Sequence, residues 1–229
     1  MFIASHDKDS AALADMPLVR RLARRAMPGP IRRRLGALLS RWWTERSPAC
    51  AYQRQVILPR IADRGGTVLL VGCRSYTAQE PRFLEQRGVR CRTLDIDPVA
   101  AKWRARGRHV VAPFQQAPQQ FEPAQFDAVL FSGMFGFGVD TIEAQNASLE
   151  ACAAILKPDA LLVLGWNTDR VAEPATLVNL RAFFRASNEA GFAGRKTFAR
   201  STHIFDFYCR RVACVLPFLD RLDRYHPKI

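Results

Sequence analysis

Lysine is scarce in this 229-residue chain: Lys8, Lys102, Lys157, Lys196 and Lys228 are the only lysines among 34 basic residues, and the rest are arginine. Acidic residues are also few, 21 in all, so the formal net charge is +13. That balance disfavours a cationic partner and favours nucleic acid, phospholipid head groups or phosphorylated substrates. Genomic base composition would write the same arginine bias. The six cysteines (Cys50, Cys73, Cys91, Cys152, Cys209 and Cys214) form no CxxC pair, and no histidines complete a zinc pattern. Free thiols in a reducing compartment and no structural metal are therefore expected. No basic n-region with an apolar core opens the chain, so no signal peptide is read. Nor does any apolar run reach the roughly 18–20 residues that cross a bilayer. These absences predict an intracellular, cytoplasmic protein that does not span a membrane.

What is present suits a globular chain: 48% hydrophobic and 24% charged residues, enough for one domain with an appendage. The boundary falls near residue 48. Residues 1–15 are polar and small. Residues 16–46 carry nine arginines against one acid, Glu45. Leu18, Val19, Leu22, Ala23 and Ala26 fall at helical spacing, as do Ile31, Leu35, Leu38, Leu39, Trp42 and Trp43. Met27-Pro28-Gly29-Pro30 divides this arm into two short amphipathic helices.

Residues 49–229 read as alternating strand and helix. Strands are expected at Thr67–Val71, Val89–Ile96, His109–Pro113, Phe126–Ser132 and Ala160–Gly165. Helices are expected over 79–87, over Pro98–Arg106 closed by Gly107, over Thr141–Leu156 with Asp140 as N-cap, and over about 175–190. Two last strands near 192–199 and 203–212 must be antiparallel, because the turn between them is short. The pattern predicts a doubly wound, mostly parallel seven-stranded sheet closed by an antiparallel hairpin. Ligands of such sheets bind outside the carboxyl ends of the strands. Gly72-Cys73-Arg74-Ser75-Tyr76-Thr77 leaves the first strand there, and Asp95 ends the second about twenty residues on, a spacing that suits a carboxylate on ribose hydroxyls.

With these motifs in place, residues 67–167 resemble a class I S-adenosylmethionine-dependent methyltransferase. VLLVGCR is similar to the family's first motif, TLDIDP to its second, FDAVLFSG to its fourth strand, and ILKPDALLVLGWN to its LKPGG turn and fifth strand. The resemblance implies S-adenosyl-L-methionine as cofactor, held by Gly72, Cys73, Arg74, Tyr76, Asp95, Ile96, Gln115, Ser132 and Gly133. Asp97 is the fallback for the ribose, and Arg74 pairs with the methionine carboxylate. There are departures. The first motif keeps one glycine, with Arg74 and Tyr76 where small residues are expected, and Asp159 replaces a glycine before the fifth strand. The acid that often holds the adenine amino group is missing, with Gln115 as the nearest polar substitute. No Asn-Pro-Pro-Tyr follows the fourth strand, which argues against methylation of adenine or glutamine amino groups.

The segment Phe131–Gly138 either frames cofactor and acceptor or is a flexible, partly buried loop. Trp166-Asn167 is expected to face the same cleft. His109 and His203 read as structural residues, and no catalytic base is named. The implied activity is methyl transfer to a small-molecule, glycan or lipid-linked acceptor. Its rivals are a non-catalytic binding or scaffold protein of the same fold and an RNA methyltransferase gripping its substrate with the basic arm.

For that arm three roles stay open: a lid over the cofactor cleft, peripheral contact with anionic lipid at the inner membrane surface, and, less favoured, nucleic-acid binding. Each basic residue near an anionic surface contributes about 1 kcal/mol. Co-sedimentation of the full chain with anionic vesicles, lost on neutral vesicles and in a truncated chain beginning at Ala49, is the outcome expected of the surface role. Loss of cofactor affinity on truncation, without vesicle binding by either chain, is that of a lid.

Overall fold

A computed structural model of the chain describes residues 47–212 apart from positions 106, 107, 190, 193 and 200. The arginine-rich arm and residues 213–229 lie outside the described residues. The elements in chain order are helix α1 (Pro48–Tyr52), a π-wound turn Gln53–Ile57, α2 (Leu58–Arg64), β1 (Thr67–Val71), α3 (Glu80–Glu85), β2 (Arg90–Asp95) and β3 (His109–Val111). They continue with α4 (Ala117–Gln120), β4 (Phe126–Ser132), α5 (Ile142–Ile155), β5 (Leu156–Asn167), α6 (Val178–Phe183), β6 (Phe184–Ala186), β7 (Arg195–Thr197) and β8 (His203–Arg210).

One sheet runs in the order β3-β2-β1-β4-β5-β8-β6, with β7 also on β8. β1 through β5 are mutually parallel, and β8 is antiparallel to β5. β6 and β7 pair with different stretches of the same edge of β8, β6 with Tyr208–Arg210 and β7 with Ile204–Asp206. The eight strands therefore occupy seven lanes, which is the predicted sheet with its last lane split.

The reason for the parallel order lies in the strands themselves. Thr67–Val71 is buried at every position, as is the Ala160–Trp166 stretch of β5, and β4 is nearly so, as strands covered on both faces must be. One face carries Leu69, Val71, Val129, Phe131, Leu162, Leu164 and Trp166, packed in a single core with Leu149, Cys152 and Ile155 of α5 and Leu180 of α6. Alternation sends Val68, Leu70, Leu130, Val163 and Phe205 to the other face, where Tyr52 lies 6.3 Å from the Phe205 ring.

Several boundaries move. α5 is capped by Thr141, whose hydroxyl accepts from Ala144 N–H at 3.2 Å; the expected cap, Asp140, instead accepts from Gly138 N–H. Asp140 is spent on the turn before the helix, one residue too early to cap it. The segment from Pro98 is a 3₁₀ stretch ending at Trp103 rather than an α-helix, and the end expected at 106–107 lies outside the described residues. The long helix expected over 175–190 is a 3₁₀ turn (Pro174–Thr176), the six-residue α6 and then β6. Arg211 donates to the carbonyls of Arg181 and Phe184, fastening that chain reversal. Asp159 stands in the left-handed region at φ 58°, a conformation that short polar side chains tolerate, so the missing glycine of this turn needs no rearrangement.

Trp166 also departs from expectation. It is buried on the α5 face, where its Nε1–H donates to Asp206 Oδ2 at 2.8 Å, so it does not face the cleft. Arg195 grips the same carboxylate at 2.6 and 2.9 Å and reaches Glu173 with its other N–H groups, which leaves the buried Asp206 charge fully paired.

Gly165 is a close approach on the opposite face. A Cβ there would lie 2.9 Å from Ser132 Cβ and 3.0 Å from Phe205 Cε1, and closer still to Ser132 Oγ. Gly165→Ala is therefore expected to destabilise the protein by about 1–3 kcal/mol, the usual cost of overpacking. A thermal melt should show the midpoint several degrees below that of the wild type.

Candidate functional site

Gly72 follows β1 at φ 83°, where its N–H donates to Leu94 C=O at 3.0 Å. Any other residue would be strained there, and a Cβ would press on Met134 Sδ at 3.2 Å. Arg74 is extended (φ −134°, ψ 162°) and exchanges bonds with Thr77 across the 3₁₀ turn Ser75–Thr77 that contains Tyr76. Only one residue of this loop thus needs glycine's freedom. The absence of further glycines is compatible with a well-formed turn.

The loop is organised by Asp95, which is only 2% exposed. Its Oδ2 accepts from Cys73 N–H at 2.7 Å and from Arg74 Nη1 at 2.7 Å, and its Oδ1 accepts from Asp97 N–H at 2.8 Å. Arg74 Nη1 also donates to Cys73 C=O. Asp97 is turned outward to cap the next 3₁₀ stretch through Val99 N–H. Burial, then the neighbouring Asp95 charge, pushes the Cys73 thiol up to about 12, so it remains protonated and unreactive.

The structure brings Gly72, Cys73, Arg74 and Asp95 together, with Ser132 on the next strand. The register makes this a row. Val71 pairs with Leu94 and with Phe131, so the following residues Gly72, Asp95 and Ser132 lie side by side. Ser132 then pairs with Gly165, Gly165 with Phe205, and Phe205 with Lys196. On the other flank Asp95 pairs with Val111. Gly133 continues from the row at φ 69° and donates to Gly165 C=O. Ile96 and Val111 remain 61% and 48% exposed beside Asp95, unusual for large apolar side chains in so well packed a sheet.

Gln115 lies apart from this group. Both N–H directions of its amide go to α5, to Ser148 Oγ at 3.0 Å and Ala144 C=O at 3.4 Å, which leaves its carbonyl oxygen for any ligand. The Phe131–Gly138 segment is tightly folded, with Phe137 and Val139 N–H both donating to Met134 C=O and Phe135 fully buried. His109 shares a bond with Thr93, and His203 with Asn167. Among the described residues, no group of three metal-ligating side chains is found and no helix is long and apolar enough to cross a membrane.

Sequence reasoning missed the far end of the row. Tyr52, Lys196, Phe198 and Phe205 come from three separate segments and match no motif; the β7–β8 pairing sets Lys196 on Phe205, and ring contacts bring Tyr52 to Phe198 and Phe205.

No family model matches this chain, and no curated protein matches it in sequence. Solved structures do resemble it. A TehB-like SAM-dependent methyltransferase from Corynebacterium glutamicum aligns at TM-score 0.52 and 18% identity over 67% of this chain and 87% of its own. The N-methyltransferase NodS from Bradyrhizobium japonicum, in complex with S-adenosyl-L-homocysteine, aligns at 0.52 and 16% over 74% and 91%. The 1,6-didemethyltoxoflavin-N1-methyltransferase of Burkholderia thailandensis, with 1,6-didemethyltoxoflavin and S-adenosylhomocysteine bound, aligns at 0.51 and 19% over 92% of both chains. The fold is that of the class I S-adenosylmethionine-dependent methyltransferases.

Behind the loop, Gln53 Nε2 donates to Glu80 Oε1 at 2.8 Å, both side chains being buried. Burial pushes the Glu80 carboxyl from its ordinary 4.5 up to about 8. Between those values the unfolded chain has released a proton that the folded chain keeps, so this group's contribution to stability falls as pH rises through that window. Glu80→Gln keeps an acceptor for Gln53 and removes the titration. Its melting midpoint should exceed the wild type's by a few degrees at pH 9. At pH 4 the two midpoints should coincide.

Proposed function

We propose that this chain is an S-adenosylmethionine-dependent methyltransferase acting on a small-molecule acceptor. The observation that carries the reading is the Asp95 carboxylate, buried at the carboxyl end of β2 and bound by the backbone of the Gly72-Cys73 turn. An ionised carboxylate has about four lone-pair sites. Cys73 N–H, Asp97 N–H and Arg74 take three of them. One site is left, and two if Arg74 turns away, which is the number a ribose diol needs.

The residues present therefore fit the cofactor, provided that Arg74 releases Asp95. The Arg74 side chain is 45% exposed, and its planar fork suits a carboxylate such as the methionine end. Gly72 lets the backbone approach a ligand closely, and Ile96 offers apolar surface to an adenine ring. When bound, S-adenosylmethionine supplies a methyl group on a positively charged sulfur, open to in-line displacement. The chain's part is to orient both partners and exclude water, which carries much of such a rate. A base is needed only where the acceptor must lose a proton. The Burkholderia neighbour holding 1,6-didemethyltoxoflavin supports a small-molecule acceptor for this architecture.

A second reading has one observation in its favour. The Arg74–Asp95 ion pair occupies the position a ribose would take, as a non-catalytic binding or scaffold protein would allow.

Isothermal titration with S-adenosylhomocysteine separates the two. The wild type is expected to bind, Asp95→Asn to bind roughly tenfold more weakly or worse through loss of a charge-assisted acceptor, and Arg74→Lys to retain more affinity than Arg74→Ala. No binding by the wild type together with binding by Arg74→Ala would show that the ion pair has closed the site.

A further inference from the structure

The row that begins at Asp95 ends in an aromatic cluster. Phe205 forms its floor, fully buried against Gly165. Around it stand Tyr52 at 6.3 Å, Phe198 at 6.2 Å and His203 at 4.6 Å between ring centroids, and Tyr52 and Phe198 are 5.7 Å from each other. Tyr52, Phe198 and His203 are each only partly buried. Lys196 Nζ lies 5.3 Å from the Tyr52 ring and 5.6 Å from the Phe198 ring. The cluster touches the cofactor side of the sheet directly, because Gly165 has Ser132 on one flank and Phe205 on the other.

Rings grouped in this way commonly receive a cation. Here the cation is already supplied by the chain. A second positive charge would be repelled at close range, whereas a negative one would gain a charge-assisted partner. The flat rings offer stacking surface to another flat ring. His203 stays neutral in this cluster. Asn167 Nδ2 donates to Thr202, which leaves Asn167 Oδ1 to accept from His203 Nδ1–H at 3.0 Å and leaves Nε2 with its lone pair. Burial lowers the imidazole to about 4, so it is neutral at physiological pH and does not add positive charge.

We propose that Tyr52, Phe198, Phe205, His203 and Lys196 form the acceptor subsite, and that it takes a planar aromatic molecule bearing an acidic hydroxyl, bound as its anion against Lys196. The inference rests on the methyltransferase reading for the reaction, though not for the binding. In the reaction the acceptor oxygen, its proton already given to solvent, forms a bond to the methyl carbon. The sulfur–methyl bond breaks, the sulfur keeps the electron pair, and the products are a methyl ether and the neutral thioether S-adenosylhomocysteine. Lys196 holds the anion in place and is a binding residue here. Its arm must be long enough to follow the ligand, as lysine's four-carbon stem is.

The test uses the full chain and two oppositely charged probes that share a nitrophenyl ring, 4-nitrophenolate and 4-nitrophenyltrimethylammonium, in equilibrium dialysis with and without S-adenosylhomocysteine. Saturable binding of the phenolate and none of the ammonium is expected. Lys196→Gln should weaken phenolate binding about tenfold or more, Lys196→Arg should restore most of it, and Phe198→Leu should weaken it by less than Lys196→Gln. Arg185→Ala, a remote exposed position, should change nothing, and melting curves report whether each variant is folded. Preference for the ammonium, or phenolate binding unaffected in a folded Lys196→Gln protein, overturns the proposal. If the phenolate binds as expected but S-adenosylhomocysteine does not, the subsite stands and the methyltransferase reading falls. If S-adenosylhomocysteine binds and the phenolate does not, the reverse holds.

Discussion

The ligand end of this sheet depends on one carboxylate. Asp95 is almost wholly removed from water, and it is tolerable there because two backbone N–H groups and a guanidinium satisfy it. Those same bonds fix the turn after β1 to the end of β2, so the loop's shape and the charge at its centre are one arrangement. Removing the carboxylate would leave the Cys73 and Asp97 N–H groups without their acceptor, the first of them buried. The three-way bonding also makes the loop a poised structure. Of its three partners, the backbone groups are fixed by the strands while Arg74 is an exposed side chain, so only one of them is exchangeable.

Most of the fold was legible in the sequence because its signals are local. Continuous apolar runs such as Thr67–Val71 and Ala160–Gly165, short and bounded by turn residues, read as strands buried on both faces, and the glycines at 72 and 88 stand where left-handed turns are needed. The misreadings occurred where tertiary bonds overrode local pattern. The 175–190 stretch looks helical, but a strand forms at Phe184–Ala186 because Tyr208, Cys209 and Arg210 offer it an unpaired edge. Asp140 looks like a cap, but Gly138 N–H claims it first.

The site was legible in part. Gly72, Cys73, Arg74, Asp95 and Ser132 are named by motif and are brought to one row. The partnership of Arg74 with Asp95 was not legible, since nothing in the spacing of residues 74 and 95 says that the side chains meet. Neither was the aromatic end of the row. Tyr52 lies well over a hundred residues from Lys196, and they become neighbours only because β7 pairs with β8 and Tyr52 packs on Phe205 of that strand. Trp166 shows the same limit in reverse: its place at a strand end suggests the cleft, but the pleat sends its side chain to the opposite face, where Asp206 receives its indole N–H.

The split lane beside β8 bears on how the molecule behaves in company. A long bare strand edge is a template on which a second chain can add itself and begin an aggregate. Here one border of the sheet consists of two pieces of three residues each, β6 and β7, carrying Arg185, Arg195 and Lys196, and the other border is the three-residue β3. Among the described residues, neither border offers an incoming strand more than a few consecutive backbone groups. A sheet of this width thus resists recruiting its neighbours without closing into a barrel, which would have sealed the strand ends where Asp95 and Lys196 stand.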